Sequence, residues 1–364
     1  MISKPSKIGL GTIRYFKKKV SKKIEIKDRL YSFDLANSFG INFVDTADSY
    51  ENGESEKILS KFLHRKRSKI FLATKFSPKF LKFEEIKNAC EKSLKRLRTD
   101  YIDLYQLHWP NPEFSFEDQI QSLNKLIKFG MIRYAGISNC TNEQILLAKK
   151  ILGDRLYSHQ DKLNLLTKPD DFKKDYFKLM NVNNIKNISY GIFGQGFLKF
   201  STKQKIFLDK ILSNYEMTLS QLIIKWISIY DNKGHILTNS MDKNHIMQNI
   251  EALNKKITKK DFNNINAFFK AKVKKIDIKK IKVIDWDIDK SHKIYTSLRE
   301  AIKNRYNLKP SIEYLVEEIK MNGFKPIELK KGKDFYYVMQ GRMRFWAYKY
   351  LYKQKKTIPS IILF

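Results

Sequence analysis

The sequence predicts an α/β protein in which a (β/α)8 TIM barrel is followed by a small α+β domain. Two observations lead to this prediction. Runs of β-branched and aromatic residues alternate with amphipathic segments up to about residue 270, and the alternation then stops. The 364 residues also exceed the ~100–150 residues typical of one domain. We therefore divide the chain into a barrel at 1–270 and a C-terminal module at 271–364, with a charged linker at about 271–284.

Eight short runs have the composition of buried strands. They are Ile8–Ile13, Ile41–Thr46, Ile70–Lys75, Ile102–His108, Tyr134–Ser138, Tyr157–Gln160, Ile188–Ile192 and His235–Asn239. Between them lie segments such as 83–98 and 115–130, whose apolar residues recur at helical spacing on one face. Eight strand–helix units in roughly 250 residues match a closed parallel barrel. An open, doubly wound sheet is the alternative, but no GxGxxG follows the first strand, so a Rossmann-type dinucleotide site is not supported.

The C-terminal module has a different pattern. Residues 271–290 alternate Ile and Val with Lys and Asp, which is typical of a strand, a charged linker or both in turn. The rest predicts a compact α+β arrangement of about 90 residues. Its elements are a helix at 311–323, a strand at 326–329, a turn at 330–334, a strand at 335–339, a helix at 340–354 and a final apolar segment at 358–364.

The net charge of +33, from 71 basic and 38 acidic residues, by itself indicates a nucleic-acid or anionic-membrane partner. Residues 271–364 carry +13 and the first 270 residues carry +20, so both parts are positive. Because the Lys enrichment runs evenly through predicted helices and loops, we interpret it as a compositional bias, and nucleic acid is not a favoured partner. A local excess around Arg342 and Arg344 fits a phosphate-bearing small ligand at least as well as a polymer.

Cys90 and Cys140 are the only cysteines, too few for a disulfide framework or a zinc cluster. The first twenty residues contain no apolar run of signal-peptide length, and no uncharged stretch approaches the ~18 residues that span a bilayer. We therefore expect a cytoplasmic protein without a membrane partner or a metal.

Four ionisable residues lie at or just after the ends of successive predicted strands, where barrel enzymes place their catalytic groups. They are Asp45, Tyr50, Lys75 and His108. Each alone has a structural explanation, such as a helix cap or a solvated tip. Together they form a set for proton transfer: a phenol that donates a proton, an ammonium that lowers the phenol's pKa, a carboxylate that holds the ammonium, and an imidazole that orients a carbonyl.

The segments around these residues resemble the aldo/keto reductases across residues 5–255. The matching segments, in order, are GLGT at 9–12, DTADSYENGESEKIL from Asp45, IFLATKF at 70–76, DYIDLYQLHWP at 100–110, GMIRYAGISNC at 130–140 and HQDKLNLL from His159. The resemblance implies a (β/α)8 barrel that reduces aldehydes or ketones with NADPH or NADH and without metal. It also implies that Tyr50 is the general acid, that Lys75 and Asp45 tune its pKa, and that His108 orients the substrate carbonyl.

The resemblance also implies cofactor-binding residues. Ser138, Asn139 and Gln160 match the positions that hydrogen-bond the nicotinamide carboxamide, and Tyr190 matches the aromatic residue that stacks on the nicotinamide. The remaining positions lie in the first loop, in the GIFGQG segment that meets the pyrophosphate, and after the eighth strand. They are Gly11, Thr12, Gly191, Phe193, Gln195, Ser240 and Asn249.

One departure concerns the choice between NAD(H) and NADP(H). Positions that often hold Lys or Arg for the 2′-phosphate are here Asn239, Asp242 and His245, although Lys243 is close enough in sequence to reach a phosphate. A carboxylate repels a phosphate but suits a ribose hydroxyl. We therefore expect NADH to be used more than in a typical member.

The C-terminal module, at about 276–364, is similar to ParB/sulfiredoxin-like domains, in which a glycine and basic residues at a helix start hold nucleotide phosphates. Gly341, Arg342 and Arg344 occupy that place, and a basic surface helix is the structural alternative. Some relatives that phosphorylate small molecules have Asp before this glycine, where this chain has Gln340, which cannot act as a base.

These observations leave three hypotheses. The first is an NAD(P)H-dependent reductase of a small carbonyl substrate. The second is a non-catalytic sensor of nicotinamide cofactor whose module binds nucleotide or nucleic acid. The third joins them, with the module recognising a phosphorylated or nucleotide-linked substrate, such as a sugar, for the barrel to reduce.

Overall fold

The structure is a computed structural model that describes residues 4–13, 22–64, 66–77, 82–111, 115–166, 176–194, 198–240, 242–269, 274–283, 295–304, 311–324, 326–332 and 334–363. The chain divides into two compact units. The first comprises Met1–Pro110, Phe114–Leu198 and Ile206–Phe268, and the second comprises Phe269–Phe364 with Asn111–Glu113 and Lys199–Lys205.

Eight parallel strands close the first unit into a barrel in chain order, and the last strand pairs with the first. The strands are β1 Ile8–Gly11, β2 Phe43–Asp45, β3 Phe71–Phe76, β4 Ile102–Leu107, β5 Ile132–Ser138, β6 Leu156–Lys162, β7 Lys186–Tyr190 and β8 His235–Thr238. The predicted barrel is therefore confirmed, and closure excludes the open-sheet alternative.

Helices follow the strands of the barrel. They are α1 Lys22–Ser38, α2 Glu54–Leu63, α3 Phe83–Leu97, α4 Phe116–Lys128, α5 Asn142–Leu152, α6 Tyr176–Val182, α7 Thr202–Leu212, α8 Leu219–Tyr230, α9 Lys243–Glu251 and α10 Lys259–Phe268. Several begin at side-chain caps. Thr141, for example, accepts a hydrogen bond from the Gln144 amide in a capping box, which satisfies backbone donors that the helix leaves unpaired.

Alternate residues of each strand face opposite sides of the barrel wall. In β4, Leu104 belongs to the apolar cluster inside the barrel, whereas Tyr105 and Leu107 belong to the cluster between strands and helices. The intervening Gln106 therefore faces inward. Gly136 of β5 makes room for it, because a Cβ at this glycine would lie 2.7 Å from Cγ of Gln106. Gly136 thus leaves space on the inner face for this polar side chain.

The described residues of the second unit form a five-stranded mixed sheet, ordered β10-β12-β11-β13-β9, and three helices. The elements in chain order are β9 Lys274–Asp277, β10 Ile281–Lys282, α11 Leu298–Lys303, α12 Ile312–Asn322, β11 Ile327–Lys331, β12 Tyr336–Gln340, α13 Arg342–Leu351 and β13 Thr357–Leu363. It has a core of its own that includes Leu315, Leu329, Phe345 and Trp346.

Residues 274–283 contain two short strands, in a segment where the sequence left a strand, a charged linker or both in turn open. β9 pairs with β13 and β10 pairs with β12, so both belong to the second sheet. The buried Ile276 and Ile281 explain this outcome, because each places an apolar side chain in the second core. No helix within the described ranges combines the length and hydropathy needed to cross a membrane.

Candidate active site

Three of the four predicted catalytic side chains meet at the carboxyl ends of β2 and β3. Nζ of Lys75 donates to Oδ1 of Asp45 at 2.6 Å and to the carbonyl oxygen of Thr46 at 2.8 Å. Its third contact is the hydroxyl of Tyr50, at 3.3 Å. Lys75 has no exposed surface and Asp45 is 2% exposed, whereas Tyr50 is half-buried. A buried ion pair therefore lies against a phenol that is still accessible.

The other carboxylate oxygen of Asp45 is held from the opposite wall of the barrel. Oδ2 accepts hydrogen bonds from Nε2 of Gln106 at 3.0 Å and from Nε2 of Gln160 at 3.2 Å. Both oxygens of this buried carboxylate are thus satisfied, as a buried charge requires. Sequence analysis missed Gln106. The sequence feature that could have identified Gln106 is its position: it is a polar residue two positions before His108, on the same inner face of an otherwise apolar strand.

Burial and charge act in opposite directions on this group. Burial raises the pKa of Tyr50, and the ammonium of Lys75 lowers it, with a net shift upward. Burial would lower the pKa of Lys75, but the carboxylate of Asp45 and the hydroxyl of Tyr50 raise it, and the net shift is again upward. Lys75 therefore stays charged and Tyr50 stays protonated near neutral pH, which is the state of a proton donor poised beside a cation.

His108 lies at the carboxyl end of β4, beside Tyr50. The two rings are 5.8 Å apart between centroids and meet edge to face at 74°. Burial, reinforced by the charge of Lys75, lowers the pKa of His108 to about 3. The imidazole is therefore neutral at physiological pH, and the structure places all four predicted residues in one cluster.

The turn that follows Tyr50 has an uncommon backbone. Glu51, Asn52 and Gly53 all have positive φ values, of 52°, 55° and 86°. Left-handed backbone is ordinary for glycine but strained for glutamate. The buried guanidinium of Arg29 contacts this turn, because its Nη1 lies 2.7 Å from Oε2 of Glu51.

The predicted carboxamide-binding residues lie together at the ends of β5, β6 and β7. Oγ of Ser138 donates to the carbonyl of Gln160 at 2.9 Å, and the amide nitrogen of the Asn139 side chain donates to Oγ of Ser138 at 2.9 Å. The Tyr190 hydroxyl donates to Oδ1 of Asn139 at 2.9 Å. Gln160 reaches Asp45 as well, so this polar set is continuous with the cluster around Lys75.

The other predicted cofactor residues occupy two further places. Gly11 and Thr12 end β1, where the Thr12 amide donates to the carbonyl oxygen of Asp45 at 3.0 Å. A cavity of about 190 Å³ lies beside α9. It is lined by Phe193, Ser220, Asn239, Ser240, His245, Gln248 and Asn249. Gly191 has a positive φ of 62° and precedes Phe193, and Gln195 lies outside the described residues.

These features fit an extended dinucleotide. Ser138 and Asn139, with the ring of Tyr190 beside them, lie next to the Asp45–Lys75–Tyr50 group. A separate cavity lies near the start of α9. Asp242 caps this helix, because its Oδ1 accepts from the amide of His245 at 2.9 Å. Among the described residues, no group of three His, Cys, Asp or Glu side chains is arranged to hold a metal ion.

The predicted phosphate-binding residues of the second unit lie at the start of α13. Gly341 caps the helix with a positive φ of 89°. Nε of Arg342 is buried and has no hydrogen-bond partner among the described residues. Nη1 of Arg344 donates to the carbonyl of Pro326 at 3.3 Å. The three residues are therefore adjacent, on the first turn of one helix.

Comparisons with known proteins agree with this barrel and its site. The model of the aldo/keto reductase family matches residues 7–270. A methylglyoxal reductase of Escherichia coli, YeaE, is 44% identical over 100 residues, which cover 28% of this chain and 35% of the relative. An aldo-keto reductase of Bacillus subtilis, YhdN, is 33% identical over 169 residues, which cover 44% of this chain and 50% of the relative. The chain thus spans half or less of the length of these two relatives.

Solved structures share the fold of the barrel. An aldo/keto reductase from Klebsiella pneumoniae, in complex with NADP and acetate, superposes with a TM-score of 0.64 at 21% identity. The match covers 73% of this chain and 92% of that chain. At this level of identity the likeness concerns the fold alone.

Proposed function

Because this chain belongs to the aldo/keto reductase family, we propose that it is an NAD(P)H-dependent oxidoreductase that reduces the carbonyl of a small aldehyde or ketone to an alcohol. The observation that carries the proposal is the chain of contacts from Asp45 through Lys75 to Tyr50, with neutral His108 beside the phenol. A helix cap or a solvated side chain does not explain a buried ion pair that contacts a half-buried phenol. The set requires no metal.

The proton step follows from this geometry. A bound nicotinamide supplies the hydride that adds to the carbonyl carbon. Tyr50 donates its hydroxyl proton to the carbonyl oxygen, which completes the alcohol and leaves a phenolate. Lys75 stabilises that phenolate from 3.3 Å, and Asp45 holds the ammonium in place. Gln106 and Gln160 in turn fix the carboxylate. The charge that develops on Tyr50 is thus met by groups that are already oriented.

His108 has the part of a neutral donor. With its pKa lowered to about 3, its ring carries one N–H and no charge. It can therefore donate a hydrogen bond to the carbonyl oxygen without adding a second positive charge beside Lys75. Its place beside Tyr50 would direct one carbonyl oxygen toward both groups.

The test is the Tyr50→Phe variant. Loss of the proton donor should lower kcat for aldehyde reduction by about 10²–10⁴-fold, while the ring and its packing are kept. The measurement is consumption of NADH or NADPH with an aldehyde panel. A variant as fast as the wild type would contradict the role of Tyr50. A wild-type protein that oxidises neither cofactor with any carbonyl would favour the alternative, a non-catalytic cofactor sensor.

For the cofactor we propose that NADH is used more than by a typical member of the family. Asp242 supports this proposal, because its carboxylate caps α9 next to the cavity, where a 2′-phosphate would meet a negative charge. No Lys or Arg is among the described residues that line the cavity. A ribose hydroxyl, by contrast, can donate to a carboxylate.

For the second unit we propose a phosphate-bearing ligand at the start of α13, consistent with a nucleotide-linked or phosphorylated substrate. The support is the left-handed Gly341 at the start of the helix and the buried Nε of Arg342 beside it. The likeness to ParB/sulfiredoxin-like domains stays a prediction, as does the cytoplasmic location.

Binding of a nucleotide-linked sugar to the full chain tests this second proposal. The double variant Arg342→Gln/Arg344→Gln should weaken binding at least tenfold. Arg299→Gln on α11 is the control, because it removes an exposed positive charge from the same unit. Equal affinity of the wild type and the double variant, or no binding at all, would contradict the proposal.

A further inference from the structure

We propose that Arg29 and Glu51 form a positioning ion pair that holds the Tyr50 turn in its productive conformation and links it to the loop after β1. The inference rests on the proposed function, since it concerns the proton donor of that reaction. Arg29 bonds Glu51, Thr12 and Ser55, so the pair would act through Tyr50.

Arg29 connects three segments from a buried place on α1. It is 6% exposed. Its Nη1 donates to Oε2 of Glu51 at 2.7 Å, and its Nη2 donates to the carbonyl oxygen of Thr12 at 3.1 Å and to Oγ of Ser55 at 3.3 Å. The guanidinium therefore joins the turn after Tyr50, the end of the first barrel strand and the first turn of α2.

Two hydroxyl contacts tighten the same connection. Oγ of Ser55 donates to Oγ1 of Thr12 at 2.7 Å, and Oγ1 of Thr46 donates to Oγ of Ser55 at 3.2 Å. Thr46 is also the residue whose carbonyl accepts from Lys75. The network around Arg29 thus ends on the backbone that orients the ammonium.

The backbone of Glu51 supports a role for its side chain. A glutamate at φ 52° is strained, whereas glycine would occupy the position without strain. The ion pair with a buried arginine compensates this strain. Because Glu51 follows Tyr50 directly, the position at which Arg29 holds the Glu51 carboxylate sets the direction of the Tyr50 side chain.

The contact that depends on this angle is the weakest of the three made by Lys75. Its distance to the Tyr50 hydroxyl, 3.3 Å, is at the long end of a hydrogen bond, whereas the contacts to Asp45 and Thr46 are 2.6 and 2.8 Å. A small displacement of the turn would remove the phenol from the ammonium and leave the ion pair intact.

Three variants separate positioning from stability. Arg29→Lys keeps the charge but cannot bond Glu51 and Thr12 together. Glu51→Gln keeps an acceptor and removes the charge, and Glu51→Gly removes the side chain and relieves the backbone. We expect each to lower kcat by about 10–100-fold. We also expect the alkaline limb of the kcat profile to move to higher pH, because Tyr50 loses the stabilising ammonium.

A surface ion pair provides the matched control. Glu54 and Lys57 pair at 2.7 Å on α2 and are both exposed, so Glu54→Gln and Lys57→Gln should leave kcat, KM and the pH profile unchanged. The inference is overturned if Glu51→Gly has wild-type kcat and a wild-type pH profile, since a merely structural pair would permit that result.

Hydrogen exchange of the amides at 50–53 supplies a readout that does not need turnover. Faster exchange in Arg29→Lys than in Lys57→Gln, at equal global stability, supports the inference, and equal exchange contradicts it. If the wild-type protein reduces no carbonyl, the proposed function fails while the exchange result still decides whether the pair holds the turn.

Discussion

The three hydrogen-bond partners of Lys75 lie within six residues of sequence: Asp45 and Thr46 at the end of β2, and Tyr50 in the turn that follows. This locality explains why the sequence was informative here, since parallel strands of a barrel end at one rim and order the residues after them. Gln106 and Arg29 escaped prediction because their contacts cross the barrel or come from a helix, where only the folded backbone sets the distance.

The neutral state of His108 leads to a prediction about pH. With its pKa lowered to about 3, the imidazole does not titrate between pH 5 and 8, so kcat should show no limb near 6.5 in that range. The measurement is a kcat profile at saturating cofactor for the wild type and His108→Gln. A limb near 6.5 that disappears in the variant would show that the residue is protonated in the working enzyme.

Asp242 provides a prediction about cofactor choice. The Asp242→Ser variant removes the carboxylate but keeps a helix-capping residue, so α9 should stay folded. We expect affinity for NADPH to rise at least fivefold relative to NADH, because the repulsion of the 2′-phosphate is lost. Fluorescence titration with both cofactors measures the ratio. An unchanged ratio would rule out Asp242 as the discriminating group.

At the scale of the elements, β3, β4 and β5 are tied together by one buried carboxylate. Asp103, the second residue of β4, accepts from Arg67 and Arg133 at 2.7 Å each and from the amide of Leu72 at 2.9 Å. Both guanidinium groups also lie within 4 Å of the Tyr101 ring centroid, at 3.8 and 3.9 Å. This cluster orders three strands at the end of the barrel away from Lys75.

Removing that carboxylate should affect stability and not catalysis. Asp103→Asn leaves two arginines without their charge partner, and we expect a loss of about 3 kcal/mol in the free energy of unfolding. Urea denaturation measures it, with Asp154→Asn, from an exposed pair, as the control. A loss of kcat per folded molecule would mean that the cluster also shapes the site.

The first residue of β8 predicts how stability depends on pH. His235 is buried, donates from Nδ1 to the Ser6 carbonyl and meets the Tyr157 hydroxyl at Nε2. Burial lowers its pKa to about 4, so between pH 6.5 and 4 the unfolded chain takes up a proton that the folded chain does not. Stability should therefore fall by about 1–3 kcal/mol as the pH drops through that window.

The variant His235→Gln tests this linkage. Its stability should change less between pH 6.5 and 4 than that of the wild type, whereas His64→Gln, at an exposed position, should follow the wild type. Equal slopes in all three proteins would show that His235 does not contribute to acid sensitivity.

Periodicity predicted the elements of the barrel well, because each strand has a buried inner face and each helix a buried stripe. It was ambiguous at 274–283, where Lys and Asp flank single buried residues such as Ile276 and Ile281. Pairing there is decided by β12 and β13, whose paired residues lie 55 to 86 residues further along the chain. The local sequence at 274–283 does not indicate which distant strands will pair with it.

For the whole molecule, two separate cores predict two unfolding transitions. The barrel and the second unit each bury their own apolar cluster, and the contacts divide between the two units. A calorimetric scan should show two steps, and added NADH should raise only the step that belongs to the barrel, because a ligand stabilises the unit that binds it. A single step that moves as a whole would contradict two independent units.

The open edge of the second sheet affects solubility. A closed barrel has no unpaired strand, but β9 ends the order β10-β12-β11-β13-β9, so one row of its backbone groups has no neighbour among the described strands of that sheet. Lys274 and Lys275 on this strand are exposed. Positive charge on an edge strand opposes pairing with another chain, so we expect these two lysines to protect this edge from aggregation.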